Sequence, residues 1–351
     1  MSNARSLLVV GATGAAATRV AERARAEGGF NLLGLSRRVP AGAGDWVQAD
    51  LTDPAGLAQA LAARPDITHI VYASRAPFGE GGVEDVPANL AMLRNLLDAA
   101  EAGLPRFAHI HMIHGGKWYG LHIGPFRTPA REDDPRHLPP NFYYDQQDLV
   151  AARQRGKSWS WSASRPGFVL DVAPGRARNM VSTLGAYAAI CRELGAPFDF
   201  PGRPGAWTAL HELTDASLLA EGVLWMLTEP RAANRAFNLS NGDSFRWCDL
   251  WPFLAQQFGL PCGVPRPMSM PRWMADKGPV WDAIRRRHDL ALPLEQVASW
   301  DFADFFLGMD YDVLFSMTAA RKAGFTGFVD SWEMFGRQIE GYRAARVLPP
   351  R

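Results

Sequence analysis

The chain has 351 residues, a net charge near +1 at pH 7, and 47% hydrophobic against 21% charged residues. This balance excludes a disordered chain and offers no basic surface suited to nucleic acid. Three cysteines, Cys191, Cys248 and Cys262, stand far apart without CxxC spacing, so neither a disulfide framework nor a metal centre is expected.

In chain order, short apolar runs rich in β-branched residues alternate with helical stretches, the pattern of parallel strands joined by crossover helices. Residues 6–10 read as the first strand, 15–26 as a helix, 30–35 and 46–49 as strands two and three, and 54–63 as a helix. Strands at 67–72 and 107–113 flank a helix over 88–102, a further helix runs from the stretch NFYYDQQDLV to Gln154, and SWSASRP supplies strand six. Beyond it lie a helical run around residues 180–194, a return to the α/β pattern over 210–245, and a mostly helical, Trp- and Phe-rich end. The expected fold is α/β: a doubly wound Rossmann-type parallel sheet over 1–170 and 209–245, with a smaller, mostly helical substrate-binding cap from 171–208 and 246–351. The opening MSNARSLLVV is too short in apolar residues for a secretory signal, and no stretch reaches the roughly 18 needed to span a membrane. A cytoplasmic protein is expected.

LLVVGATGAAAT puts Gly11, Thr13, Gly14 and Ala15 between a buried strand and a helix. Free backbone N–H groups and the helix dipole there favour a pyrophosphate. A tight turn without a ligand has the same glycines, so the discriminating residues lie farther on. Strand two ends in Ser36, Arg37 and Arg38, where an acid would bind a free ribose 2′-hydroxyl; arginine's planar fork suits a 2′-phosphate instead. Asp50 and Leu51 after strand three are placed to frame an adenine. NADPH is the expected cofactor.

Strand five runs into HIHMIHGGKWYGLHIGPF, which sets Lys117 at the carboxyl edge of the sheet. Alone, Gly-Gly-Lys is an ordinary turn. Together, GGKWYGLHIGPF and NFYYDQQD resemble the signatures of the progesterone 5β-reductase and iridoid synthase family of atypical short-chain dehydrogenases/reductases. The likeness continues through RARNMVSTLGAYAAICRELGAPFDFPG, AFNLSNGDSFRWCDLWPFLAQQFG and ARKAGFTGFVDSW. The resemblance implies NADPH-dependent reduction of the activated carbon–carbon double bond of a small apolar enone or enal. It puts Tyr144 at the catalytic tyrosine position and Lys117 at the lysine position, with Ser74 and Pro166 beside the cofactor. Tyr119, Phe126, Tyr143, Asn179 and Phe302 then fall in the substrate pocket, although Phe126 and Phe302 equally suit a core and Asn179 a helix cap. It is compatible with a homodimer. The sequence departs from the plant pattern at Trp118, His114, Ala17 and Gln147, which leaves substrate identity open.

A phenol and an ammonium are the donors this chemistry needs, because hydride arriving at the β-carbon of an enone leaves negative charge on its oxygen. Two other readings compete: a carbonyl reductase or sugar-nucleotide epimerase on the same scaffold, and a catalytically silent NADPH-binding regulator. Asp148 stands where that scaffold's helix lysine would be and counts against the first.

Overall fold

A computed structural model describes residues 5–39, 42, 44–79 and 83–351. The strand β1, Arg5–Val10, is apolar and fully buried from Leu7 to Val10, so it takes the centre of a sheet covered on both faces. It pairs in parallel with β2, Phe30–Ser36, on one side and with His69–Tyr72 on the other. With β3 as Trp46–Gln48, β4 as His69–Tyr72, β5 as His109–Ile113 and β6 as Ser160–Pro166, the order is β3-β2-β1-β4-β5-β6, and Arg235–Leu239 closes the far edge as a seventh parallel strand. The order reverses between β1 and β4, and ligands of such sheets bind outside the carboxyl ends of the strands at that switch.

The helices begin where the sequence provides caps. Helix α1, Ala15–Glu27, follows Gly14; α2, Pro54–Ala62, starts at Asp53, which accepts the Gly56 N–H at 3.1 Å; α3, Val86–Gly103, starts at Asp85, which accepts the Ala88 N–H at 2.9 Å. Helix α4, Phe142–Gln154, is capped by Asn141, whose side-chain oxygen accepts the Tyr143 N–H at 3.1 Å. One face of the sheet packs against α2, α3 and α4, and the other against α1 and the helix Ala216–Thr228.

The cap has its own core around helix α5, Met180–Glu193, and the aromatic side chains Phe198, Phe200, Trp247, Trp251 and Trp281. Trp251 stacks on Phe198 with centroids 4.5 Å apart and donates its indole N–H to the Phe198 carbonyl at 2.9 Å, so its polar atom is satisfied where its ring is buried. One stretch of the C-terminal segment packs elsewhere. Met317, Ala320, Ala323 and Phe325 join the core of α1, while Val313 and Phe315 pack beneath Trp118 and Tyr119. The chain therefore crosses back to the sheet side before its last helix, Ser331–Ala344, returns to the cap. No described helix is long and apolar enough to cross a membrane, and no cluster of metal-ligating side chains occurs among the described residues.

Candidate active site

At the switch point the β1 turn and the end of β4 approach closely. Gly11 has φ +77°, and a Cβ built on it would lie 2.7 Å from Ser74 Oγ and 3.1 Å from the Ala73 carbonyl carbon and oxygen. Only glycine adopts that backbone without strain and leaves the floor of the groove open. The groove, about 530 Å³, is lined by Gly11, Thr13 and Gly14, by Ser36 and Arg37, by Asp50 and Leu51, and by Ser74. Ala15 begins α1 immediately beside it, in the first turn where backbone N–H groups lack helical partners. Arg38 is exposed and outside the lining, although its carbonyl accepts the Ser36 hydroxyl at 2.5 Å. Asp50 turns its carboxylate onto the Thr52 N–H and hydroxyl at 2.9 and 2.8 Å, bonds that hold its pKa below the usual range. A glycine floor, a helix N-terminus and an arginine at the ribose end fit a dinucleotide phosphate. Gly11→Ala is expected to cost about 1–3 kcal/mol through strain and the Ser74 clash, read as a lower denaturant midpoint.

A second cavity of about 650 Å³ continues along the carboxyl ends of β5 and β6 toward the cap. Phe78 borders both cavities. Lys117, Tyr143, Pro166, Phe168, Arg178 and Phe302 line this crevice. The turn Gly116–Tyr119 carries Lys117, and a Cβ on Gly116 would fall 2.1 Å from Leu121 Cδ2 and 2.8 Å from Phe315 Cζ, so glycine lets the turn pack closely against both side chains. Asn141, besides capping α4, donates its amide to the Lys117 carbonyl at 3.0 Å, so one residue fixes both the lysine turn and the start of the tyrosine helix. Lys117 Nζ lies 2.7 Å from Glu84 Oε1, and Arg75 reaches the same oxygen at 3.7 Å while stacking over Phe78 at 3.8 Å.

The adjacent tyrosines separate. Tyr144, the residue the family likeness puts in the catalytic position, does not line the crevice: its hydroxyl donates to the Trp118 carbonyl at 2.5 Å and accepts the His137 N–H at 2.8 Å, and its ring meets Trp118 edge-on at 4.7 Å. Tyr143 does line it. Its ring packs at 4.7 Å from the buried His114, and a Cβ on Gly115 would lie 3.6 Å from its hydroxyl. Burial and the Glu84 carboxylate push the Tyr143 phenol up, with Arg75 opposing. His114 is itself held neutral, its pKa pushed down to about 3 by burial and by the Arg165 guanidinium.

Three of the residues assigned to the substrate pocket are placed elsewhere. Tyr119 is buried and donates to Asn238 Oδ1 at 2.6 Å while accepting Arg165 at 3.1 Å. Phe126 packs 6.0 Å from Phe315 in the cluster behind the crevice and is not part of its lining. Asn179 caps α5, accepting the Val181 N–H at 2.9 Å and donating to the Asp171 carbonyl at 2.7 Å. The packing behind the site centres on Arg165, which is 2% exposed. Its guanidinium stacks on Trp118 at 3.6 Å and donates to Tyr119, the Glu132 carbonyl and Gln147. That explains Trp118 and Gln147 as partners of one buried cation. Glu84, Phe78, Phe168 and Arg178 reach the site without a local motif that marks them in the sequence.

The PRISE-like Rossmann-fold domain model matches residues 55–349. The chain is 36% identical over 364 aligned residues to an (S)-8-oxocitronellyl enol synthase of Nepeta racemosa, covering 97% of this chain and 92% of that one. It is 34% identical over 321 residues to a 3-oxo-Delta(4,5)-steroid 5-beta-reductase of Arabidopsis thaliana, covering 87% and 81%. Among solved structures, a Thermus thermophilus UDP-glucose 4-epimerase in complex with NAD superposes with a TM-score of 0.67 at 17% identity, covering 97% of this chain and 99% of that one. RMD from Pseudomonas aeruginosa complexed with NADPH does so with 0.65 at 14%, again covering 97% and 99%. These structures share the fold with the seven-stranded sheet described above, whereas the lysine turn and the tyrosine helix both lie inside the matched residues 55–349: the chain belongs to the PRISE-like Rossmann-fold family.

Proposed function

We propose that the chain is an NADPH-dependent reductase of the activated carbon–carbon double bond of an enone or enal, with Tyr143 and Lys117 holding the substrate oxygen. The observation that carries this reading is that both donors line one crevice, separated from the glycine groove by a single shared ring, Phe78. Gly11, Thr13, Gly14 and the start of α1 at Ala15 would hold the pyrophosphate, Ser36 and Arg37 the ribose phosphate with Arg38 beside them, and Asp50 and Leu51 the adenine. Ser74 and Pro166 would flank the path into the crevice. A reduced nicotinamide, when bound, supplies the hydride.

The protein's own task is electrostatic. As the β-carbon is reduced, charge moves to the carbonyl oxygen, and a phenol with an ammonium stabilises it there. Tyr143 serves as a donor because a phenol carries its proton at neutral pH, and burial with the Glu84 carboxylate raises its pKa further. Phe168, Phe302 and Phe305 offer apolar walls to the body of the substrate. The relatives' names, a synthase of an 8-oxocitronellyl enol and a 5-beta-reductase of a 3-oxo-Delta(4,5)-steroid, support the same class of substrate.

An epimerase or ordinary carbonyl reductase of this scaffold would use a lysine on α4. Four residues beyond Tyr143 that place is held by Gln147, whose side-chain oxygen accepts Arg165 at 3.0 Å, and the next residue, Asp148, is exposed and ion-paired with Arg136 at 2.7 Å. The decisive experiment uses NADPH carrying deuterium at the transferred position and a cyclic enone, with NMR of the product. Label at the β-carbon of a saturated ketone is expected. Label at a carbinol carbon with the double bond intact would favour the carbonyl reductase, and NADPH binding without turnover across a panel of enones and enals would favour the silent regulator.

A further inference from the structure

Lysine has a flexible four-carbon stem and an ammonium with three donors, so a lysine that must meet one substrate atom needs something to fix it. Lys117 has such a fixture. Its ammonium is 2.7 Å from Glu84 Oε1, and the carboxylate is the more buried partner, with 19% of its side chain exposed against 29% for the lysine. Glu84 is held in turn by a backbone bridge to Phe78, the ring that borders both the groove and the crevice. Arg75 reaches the same carboxylate oxygen at 3.7 Å.

We propose that Glu84 is a positioning residue for Lys117: its carboxylate takes one ammonium donor and leaves the remaining two aimed into the crevice, where they meet the oxygen that Tyr143 also binds. This rests on reading the crevice as the site of enone reduction. Glu84 touches no substrate itself. Its charge also acts on Tyr143, whose phenol it helps to keep protonated. The charged and titratable groups around this pair are Glu84, Arg75 and His122 at the lysine, and His114, Arg178 and Asp301 on the crevice wall. Among them Glu84 is the carboxylate that contacts Lys117.

An ornamental ion pair and a positioning one predict different results. Glu84→Gln keeps the shape and removes the charge. Turnover of a cyclic enone is expected to fall by about tenfold with the KM for NADPH unchanged, since only a transition-state contact is weakened. In a Lys117→Met background the same substitution should lower turnover no further.

A readout that needs no turnover is available because the chain has four lysines, Lys117, Lys157, Lys277 and Lys322. After reductive methylation with a carbon-13 label, the Lys117 signal is assigned by its loss in Lys117→Met. It should show two inequivalent methyl resonances in the native protein, collapsing to one in Glu84→Gln as the ammonium becomes free to rotate. An unchanged methyl pattern in Glu84→Gln would overturn the proposal. So would a full drop in turnover from Glu84→Gln in the Lys117→Met background. If the native protein reduced no enone but the methyl collapse occurred, the fixing of Lys117 by Glu84 would stand and the reading of the crevice would fail.

Discussion

Tyr143→Phe is expected to lower the turnover of a cyclic enone by roughly 100- to 1,000-fold, the usual cost of removing one donor from a developing oxyanion. NADPH affinity and the unfolding midpoint should barely move, because the Tyr143 ring remains against His114 and Phe142. Tyr144→Phe should behave in the opposite way. Its hydroxyl joins the Trp118 carbonyl to the His137 N–H, so deletion leaves two polar backbone groups without that partner. A cost of about 1–3 kcal/mol in stability follows, with most of the turnover retained. Steady-state kinetics and urea denaturation on the two variants check both halves. If Tyr144→Phe abolished turnover at unchanged stability while Tyr143→Phe remained active, the assignment of the oxyanion donor would have to return to Tyr144.

Why the sequence left the choice between these tyrosines open is a matter of helix phase. Adjacent residues on a helix point about 100° apart, so one residue's difference decides between the crevice and the protein interior. The phase of α4 is fixed by contacts far along the chain: Asn141 on the Lys117 turn, Gln146 on the Asn89 carbonyl and Gln147 on Arg165. None of these is visible in NFYYDQQD itself. The glycine turn behaves differently. Gly11 and Gly14 are read directly, since a buried β-branched run followed by glycine and a helix is a local pattern, and the strand ends follow the expected boundaries to within two residues. Strands β4 and β5 start at His69 and His109 rather than at Ile67 and Phe107, because those apolar side chains fill the core just below the ladder.

Long-range pairing accounts for the other differences. Glu84 and Lys117 are 33 residues apart and on different loops, and no local spacing links them. Tyr119 belongs to a buried network with Arg165 and Asn238 that spans three parts of the chain, so an aromatic in a family motif became a structural donor. Residues 309–325 lie between cap helices in sequence, which is why the expected cap includes them, yet Met317 and Phe325 complete the core beside α1. By contrast, Asn179 capping a helix was legible, since Asn before an apolar helical run is a start signal in its own right.

The remaining large effect concerns the cofactor's ribose. Arg37 lines the groove at the end of β2, exposed, with Ser36 beside it and Asp50 across from it, whereas Arg38 lies outside the lining. The Asp50 carboxylate is committed to Thr52, so its charge is partly spent and Arg37 is left to meet an anion. Arg37→Glu replaces a donor fork by a carboxylate at the place proposed for a 2′-phosphate. Loss of a charged hydrogen-bonding partner costs about 1.5–3 kcal/mol, which corresponds to a roughly 10- to 150-fold weaker NADPH complex. NADH carries a hydroxyl there, so its affinity should change much less, and Arg38→Glu should shift the ratio less than Arg37→Glu does. Titration of the intrinsic tryptophan fluorescence with each cofactor measures all of these. Equal affinity of the native protein for NADPH and NADH would remove the 2′-phosphate from this site, and a larger effect at Arg38 than at Arg37 would move the contact to the outer arginine.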